Sequence, residues 1–271
     1  MTNPAGNAAH FLALHHGDEP LLLPNPWDAG SAKLLASLGF AALATTSSGF
    51  AGTLGRRDGM VTRDEALAHA EAIVAAVDLP VSADLENGFG DGADAVAETI
   101  RLAVATGLAG GSIEDFSGSD EDPIYDLGLA TDRVTAAAEI AHAGLVPFVL
   151  TARAENHVRG RDDLADTVTR LQAFQGAGAD VLFAPGLRAI ADIKAVVQAV
   201  DRPVNVLVWP GGPSVSELAA AGVRRISVGG SFSYVATAAV AAAARELQEQ
   251  GTLGFMDQMI AGVSLAQAAN T

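Results

Sequence analysis

The sequence predicts an α/β protein of the (β/α)8 barrel class. Three observations carry that expectation. Eight short apolar runs, built from Val, Ile, Leu, Ala and Phe, recur along the 271 residues. Each is nearly continuous rather than alternating, as strands covered on both faces are. Helical patterns separate consecutive runs, so that neighbouring pairs read as β-α-β units with parallel strands. An open, doubly wound sheet is the alternative, and it usually carries a dinucleotide fingerprint after its first strand. Pro24-Asn25-Pro26-Trp27 stands in that place instead.

Taken in order, Ala8 to His16 reads as a short opening helix. Its adjacent His15 and His16 cannot share one helix face, and His10, His15 and His16 are expected at the surface. The strand-like runs are Leu21 to Leu23, Ala41 to Thr46, Val81 to Asp84, Gly111 to Glu114, Pro147 to Arg153, Asp180 to Ala184, Pro203 to Trp209 and Val223 to Val228. The helical patterns between them are Ala29 to Leu38, Arg63 to Val77, Ala93 to Thr106, Thr131 to Ala143, Arg161 to Ala177, Leu187 to Val200 and Ser214 to Ala221. Gly39, Gly107, Gly144, Gly178 and Gly222 follow these patterns closely and suit helix C-termini. Thr62 with Glu65 and Ser214 with Glu217 have the spacing of capping boxes. Two further helices are expected in the tail, Val235 to Gln248 and Met256 to Ala269. The last carries Met256, Met259, Ile260, Val263 and Leu265, an apolar set that needs a surface to cover. No repeat or low-complexity linker divides the chain, so residues 1–271 read as one barrel domain with a helical extension.

Composition narrows the function classes. The formal net charge is −16 and basic runs are absent, which opposes binding to nucleic acid or to an anionic membrane. An anionic substrate must then be drawn in by local positive charge or by a metal. The sequence has no cysteine, so disulfides, thiolate metal sites and a cysteine nucleophile are excluded. Met1 to Gly17 lacks a basic segment followed by an apolar one, and no run reaches spanning length. A soluble, cytoplasmic protein is the expectation.

The candidate site begins in the stretch Pro80 to Asp115. Its two apolar runs each finish in acids, Asp84 and Glu86 in the first, Glu114 and Asp115 in the second. Carboxylates at the carboxyl ends of adjacent parallel strands converge on one small volume. A hard divalent cation relieves their repulsion, and Mg2+ (or Mn2+) takes oxygen ligands. Barrel chemistry sits at these strand ends. Reading the other ends adds Thr46-Ser47-Ser48-Gly49, which offers hydroxyl and backbone donors, and Arg153 with Glu155. Arg153 ends an apolar strand, where a guanidinium needs an anionic partner. That partner is one of the acids, a substrate carboxylate, or both. The set suits bond cleavage that leaves the enolate of a 2-oxo acid.

Three motifs in this order, T-T-S-S-G-F-A-G-T-L-G-R-R-D-G (45–59), A-D-L-E-N-G-F-G (83–90) and S-I-E-D (112–115), resemble the isocitrate lyase / phosphoenolpyruvate mutase superfamily. The resemblance runs from about Leu21 to Ser231. It implies a barrel whose last helix is swapped between subunits in a homodimer or homotetramer. It also implies Mg2+ and a small 2-oxo or 2-hydroxy acid. By position, Asp84, Glu86 and Glu114 match metal-site acids, with Glu86 in place of a commoner Asp. Arg153, Asp58 and Glu114 match catalytic positions. Thr46, Ser47, Ser48, Gly49, Asp84 and Arg153 match substrate contacts.

The loop after S-I-E-D departs from the lyases. They carry Lys-[Lys/Arg]-Cys-Gly-His, whereas 116–128 here reads F-S-G-S-D-E-D-P-I-Y-D-L-G. The thiol acid of isocitrate-type cleavage is therefore missing. Tyr125, Ser117 and Ser119 are the remaining proton-handling candidates in that loop, and Asp120, Glu121 and Asp122 would repel a phosphonate dianion. The expected activity is a Mg2+-dependent lyase acting on an oxaloacetate-like acid. A phosphonopyruvate or phosphoenolpyruvate-type mutase or hydrolase, and a non-catalytic 2-oxo acid-binding barrel, are the alternatives. Phosphate-ester chemistry at Gly211-Gly212 and Gly229-Gly230-Ser231 is a further reading, although no Lys ends a strand to form a Schiff base.

Overall fold

The eight expected strands are present, all parallel, in a computed structural model that describes residues 4–144 and 148–270. They are β1 (Leu21–Leu23), β2 (Leu43–Ala44), β3 (Val81–Asp84), β4 (Gly110–Glu114), β5 (Val149–Arg153), β6 (Val181–Phe183), β7 (Val204–Leu207) and β8 (Arg225–Ser227). The hydrogen-bonded order is β1-β8-β7-β6-β5-β4-β3-β2. One backbone hydrogen bond, from Ala44 N–H to the Pro24 carbonyl at 3.1 Å, bridges the remaining gap. Eight strands alternating with helices in this nearly closed ring form a (β/α)8 barrel. The expected start of the fifth strand, Pro147, and residues 1–3 lie outside the described residues.

The helices are α1 (Pro4–Leu14), α2 (Ala29–Ser37), α3 (Ser47–Thr53), α4 (Arg63–Ala76), α5 (Ala93–Ala105), α6 (Leu127–His142), α7 (Leu164–Gly176), α8 (Ile190–Ala199), α9 (Val215–Ala220), α10 (Ser231–Arg245) and α11 (Met256–Ala268). Both expected capping boxes form: Thr62 accepts from the Glu65 N–H, and Ser214 from the Glu217 N–H. A third, Asp28 with Ser31, starts α2. Gly107 (φ +85°) and Gly222 (φ +88°) follow α5 and α9 in the left-handed region that terminates helices at glycine.

One helix was not expected and one expectation is corrected. The stretch Ser47–Thr53 is helical, because Thr46 caps it by accepting from the Gly49 N–H. His15 is buried rather than at the surface. It packs edge-on against Phe11, whose carbonyl meets its Nδ1 at 2.8 Å.

The apolar side chains divide into two cores. The larger lies between the strands and the surrounding helices and includes Leu43, Ile73, Ile100, Leu150, Leu171 and Phe174. The smaller sits inside the amino-terminal end of the barrel, where α1 contributes Ala8 and Phe11 beside Leu21, Leu23, Val149 and Val181. Burying the Phe11 ring there contributes about 2–3 kcal/mol, and closes the end opposite the site. By contrast, α10 and α11 bury none of their residues, and Tyr234, Val240, Ile260 and Leu265 are exposed. Among the described residues no helix is long and apolar enough to cross a membrane.

Candidate active site

The parallel register brings the expected residues to one end of the barrel. Asp84 closes β3, Glu114 closes β4 and Arg153 closes β5, with Glu114 paired to Arg153 in the ladder. Arg153 is the hub. Its Nη1 donates to Asp84 Oδ1 at 2.9 Å, and its Nη2 lies 2.9 Å from both Glu114 Oε2 and Glu155 Oε1. Burial opposes its charge, but these three carboxylates hold its pKa well above the ordinary arginine value. Glu114 is itself pushed well up by burial, against the pull of Arg153.

Arg159, which the sequence did not single out, strengthens the ring. Its Nη2 lies 3.3 Å from Glu155 Oε2 and 3.7 Å from Glu114 Oε1. Its guanidinium stacks on Phe116 at 3.3 Å. The short 3-10 turn His157–Arg159 delivers it one turn after Glu155. Asp115 points the other way. It accepts from the Glu155 N–H and pairs with Arg170 at 3.2 Å, which makes it a support rather than a site group.

Ser47, at the start of α3, joins the second and third strand ends. Its N–H donates to Asp84 Oδ2 at 3.2 Å, and its side chain favours the charged form of the Asp58 carboxyl. Thr46 and Ser48 hydroxyls lie 3.2 Å apart. Gly49 is required by space, since a Cβ there would stand 2.6 Å from Thr46 Cγ2 and 3.1 Å from Trp27 Cβ. The backbone at Glu86 is left-handed (φ +49°), an uncommon state for a side-chain-bearing residue and one that clusters at functional sites. The turn is held by the Glu86 N–H, which reaches Asp84 Oδ1 at 3.3 Å, and by its carbonyl, which accepts from the Glu114 N–H at 2.9 Å.

Two cavities adjoin here. One, of about 890 Å³, lies under the 57–64 and 116–120 loops and is lined by Asp58, Glu86, Glu114 and Arg159. The other, of about 620 Å³, enters the barrel and is lined by Thr46, Ser47, Ser48, Asp84 and Arg153. Asp58 lines both. The Glu86 carboxyl is pushed up to about 7, first by burial and then by the charges of Asp84 and Asp58. The Asp58 carboxyl is also raised, by burial and by Asp84. Asp58, Asp84 and Glu86 are hard oxygen donors whose mutual repulsion helps raise the Asp58 and Glu86 carboxyls, which fits a hard divalent ion in charge and ligand type. As placed, no three acids or histidines among the described residues enclose one.

The 116–128 loop does not aim its hydroxyls at the cavities. Tyr125 donates to Asp91 Oδ1 at 2.6 Å and accepts from Asn87, beneath the Arg133 guanidinium. Burial and that acceptor push its phenol up to about 12. Ser117 bonds the Asp122 carbonyl at 2.5 Å, and Ser119 accepts from the Glu121 N–H. Asp120, however, lines the outer cavity.

Comparisons with known proteins identify the family of this fold. The chain is 50% identical to a Burkholderia cenocepacia J2315 protein described, by assignment only, as a lyase/mutase. That crystal structure superposes with a TM-score of 0.92, covering 94% of this chain and 92% of that one. It is 30% identical to 2-methylisocitrate lyase of Escherichia coli K12 over 72% of this chain and 67% of the relative. Oxaloacetate acetylhydrolase, in complex with the product oxalate, is 26% identical, with a TM-score of 0.87 over 98% of this chain and 94% of that one. The family model described as phosphoenolpyruvate phosphomutase matches residues 11–248. The chain belongs to that family, within the isocitrate lyase / phosphoenolpyruvate mutase superfamily, whose members are lyases and mutases.

Proposed function

We propose that the protein is a divalent-metal-dependent lyase that cleaves a C–C bond of a small 2-oxo or 2-hydroxy carboxylic acid, with an oxaloacetate-like acid as substrate. The observation that carries this reading is the position of Asp84. One of its oxygens meets the Arg153 guanidinium, the other meets the Ser47 N–H, and its charge raises the pKa of both Asp58 and Glu86. Asp84 and Glu86, with Glu114 across the ring, are the residues to hold Mg2+ or Mn2+. When bound, the ion polarises the 2-oxo group and stabilises negative charge developing on its oxygen.

The chain's own groups do the rest. Arg153 is fixed by three carboxylates and presents preorganised N–H donors at the cavity wall, which stabilise an oxyanion without reorganising. Thr46, Ser47 and Ser48 offer hydroxyls to a substrate carboxylate, and Gly49 leaves room for the Thr46 side chain behind them. Asp58 lines both cavities, and its raised pKa suits proton exchange with a substrate between them.

The acidic loop favours carbon–carbon over phosphorus–carbon cleavage, because Asp120 in the outer cavity wall opposes a phosphonate dianion. The unburied apolar residues of α10 and α11 support a homodimer or homotetramer in which they are covered. Light scattering coupled to gel filtration tests that state, and a monomer would refute it. Replacing Asp84→Ala tests the function: Mg2+-dependent turnover of 2-oxo acids is lost, and turnover retained in the variant would remove the metal assignment.

A further inference from the structure

Arg225 has no carboxylate partner, although it is buried to 4% exposure in the middle of an acidic protein. It opens β8 and projects into the barrel. Its Nε donates to Asn205 Oδ1 at 3.1 Å and its Nη1 to Thr151 Oγ1 at 2.9 Å. Asn205 is oriented in turn by donating to Ser227 Oγ at 3.0 Å. Nη2 has no partner among the described residues. The other buried arginines are treated differently. Arg153 meets three acids, Arg170 meets Asp115 and Asp166, and Arg133 is received by the backbone carbonyls of Asn87, Gly90 and Asp91. A buried guanidinium held only by two neutral oxygens is a costly arrangement unless an anion visits it.

The surroundings of Arg225 are a built cavity floor. Ser82, Ser112 and Thr151 lie two residues before Asp84, Glu114 and Arg153 on β3, β4 and β5. The two-residue strand period puts them on the same inward face, one layer deeper. Barrel layers of this kind are usually filled with branched apolar side chains. Here Ser82, Ser112, Asn205, Arg225 and Ser227 line the 620 Å³ cavity whose upper wall holds Asp84 and Arg153. The cavity therefore runs from the reacting end down to an uncompensated cation. Burial, and then repulsion from Arg153, lower Arg225 to about 9, so it stays charged at neutral pH. His15, on its far side, is held down to about 3 by burial and stays neutral there.

We propose that Arg225 is the base of a second anion subsite, which receives the distal carboxylate of a dicarboxylic acid whose reacting end lies between Asp84 and Arg153. This rests on the small-acid reading above and deepens it. Arg153 is already neutralised by the protein, so Arg225 supplies the charge that separates dicarboxylates from monocarboxylates. The guanidinium offers a planar donor set to a carboxylate.

The test uses succinate and butyrate, acids of equal chain length that differ in one carboxylate, titrated calorimetrically into the full-length protein in chelator. The wild type is expected to bind succinate at least tenfold more tightly than butyrate. Arg225→Gln should bring succinate to the butyrate level and leave butyrate within twofold, while Arg225→Lys keeps part of the preference. Equal binding of the two acids by the wild type, or an equal loss of both in Arg225→Gln, overturns the subsite. If Arg225→Gln does not fold, Thr151→Val, which frees the guanidinium from its orienting hydroxyl, is read by the same ratio. The chelator keeps the readout independent of the metal site. Mg2+-dependent turnover without acid discrimination refutes the subsite alone, and discrimination without any turnover refutes the lyase reading alone.

Discussion

Glu114 and Arg153 are paired across the β4–β5 ladder, and their side chains meet at 2.9 Å. The same guanidinium binds Asp84 and Glu155. Strand register thus fixes the charge centre of the site. Replacing Arg153→Gln leaves three acids, two of them nearly fully buried, without their main counter-charge. Removing one partner of a buried pair costs about 3–5 kcal/mol. The variant is expected to lose that much stability in urea unfolding and to lose turnover. A stable variant with wild-type turnover would show that the ring is not coupled.

Gly49→Ala tests the substrate cradle without touching a charge. Its Cβ would stand 2.6 Å from Thr46 Cγ2, a branch close to the backbone. Thr46 must then move, and its cap on α3 weakens. Overpacking of this kind costs about 1–3 kcal/mol. KM for the 2-oxo acid is expected to rise more than kcat falls. A change in kcat alone would place Thr46 and Ser48 away from substrate.

Tyr125→Phe separates support from chemistry in the altered loop. The phenol is engaged by Asp91 and Asn87 and lines neither cavity near the acids. Losing its hydrogen bonds costs about 1 kcal/mol. Turnover is expected within twofold of wild type, measured under saturating substrate. A drop of a hundredfold would make Tyr125 the missing acid.

The buried His15 shapes the acid side of the stability curve. Its pKa falls to about 3 in the folded protein from an ordinary 6.5, because burial disfavours its cation and Arg225 repels it. As pH drops below 6.5, the unfolded chain takes up the proton and the folded chain does not. Stability from this group is therefore complete above pH 6.5 and is lost as pH falls toward 3. His15→Gln should lose about 2 kcal/mol less than the wild type between about pH 6.5 and 4.5. Parallel urea-unfolding curves for the two proteins would contradict the assignment.

The strands were legible because parallel barrel strands are covered on both faces, and continuous runs such as Val81 to Asp84 announce this directly. The acids and Arg153 were legible because strand ends converge in such a fold. Helix α3 was not, since Ser47–Thr53 contains two glycines and no apolar stripe, and it stands on the Thr46 cap. Nor were the depth of Arg225 and the reach of the exposed Arg159 to Glu114 and Glu155 evident. An arginine at the start of a strand reads as a surface residue until the inward layer is known. His15 was misread because the period of α1 does not reveal that α1 plugs the barrel.

The most direct measurement is calorimetric titration of oxalate, a mimic of the enolate of pyruvate, with Mg2+ present and again in chelator. Binding is expected to depend on Mg2+ and to be lost in Asp84→Ala. No binding in either condition would contradict a working metal site at Asp84, Glu86 and Glu114, and would favour a non-catalytic or phosphate-directed barrel.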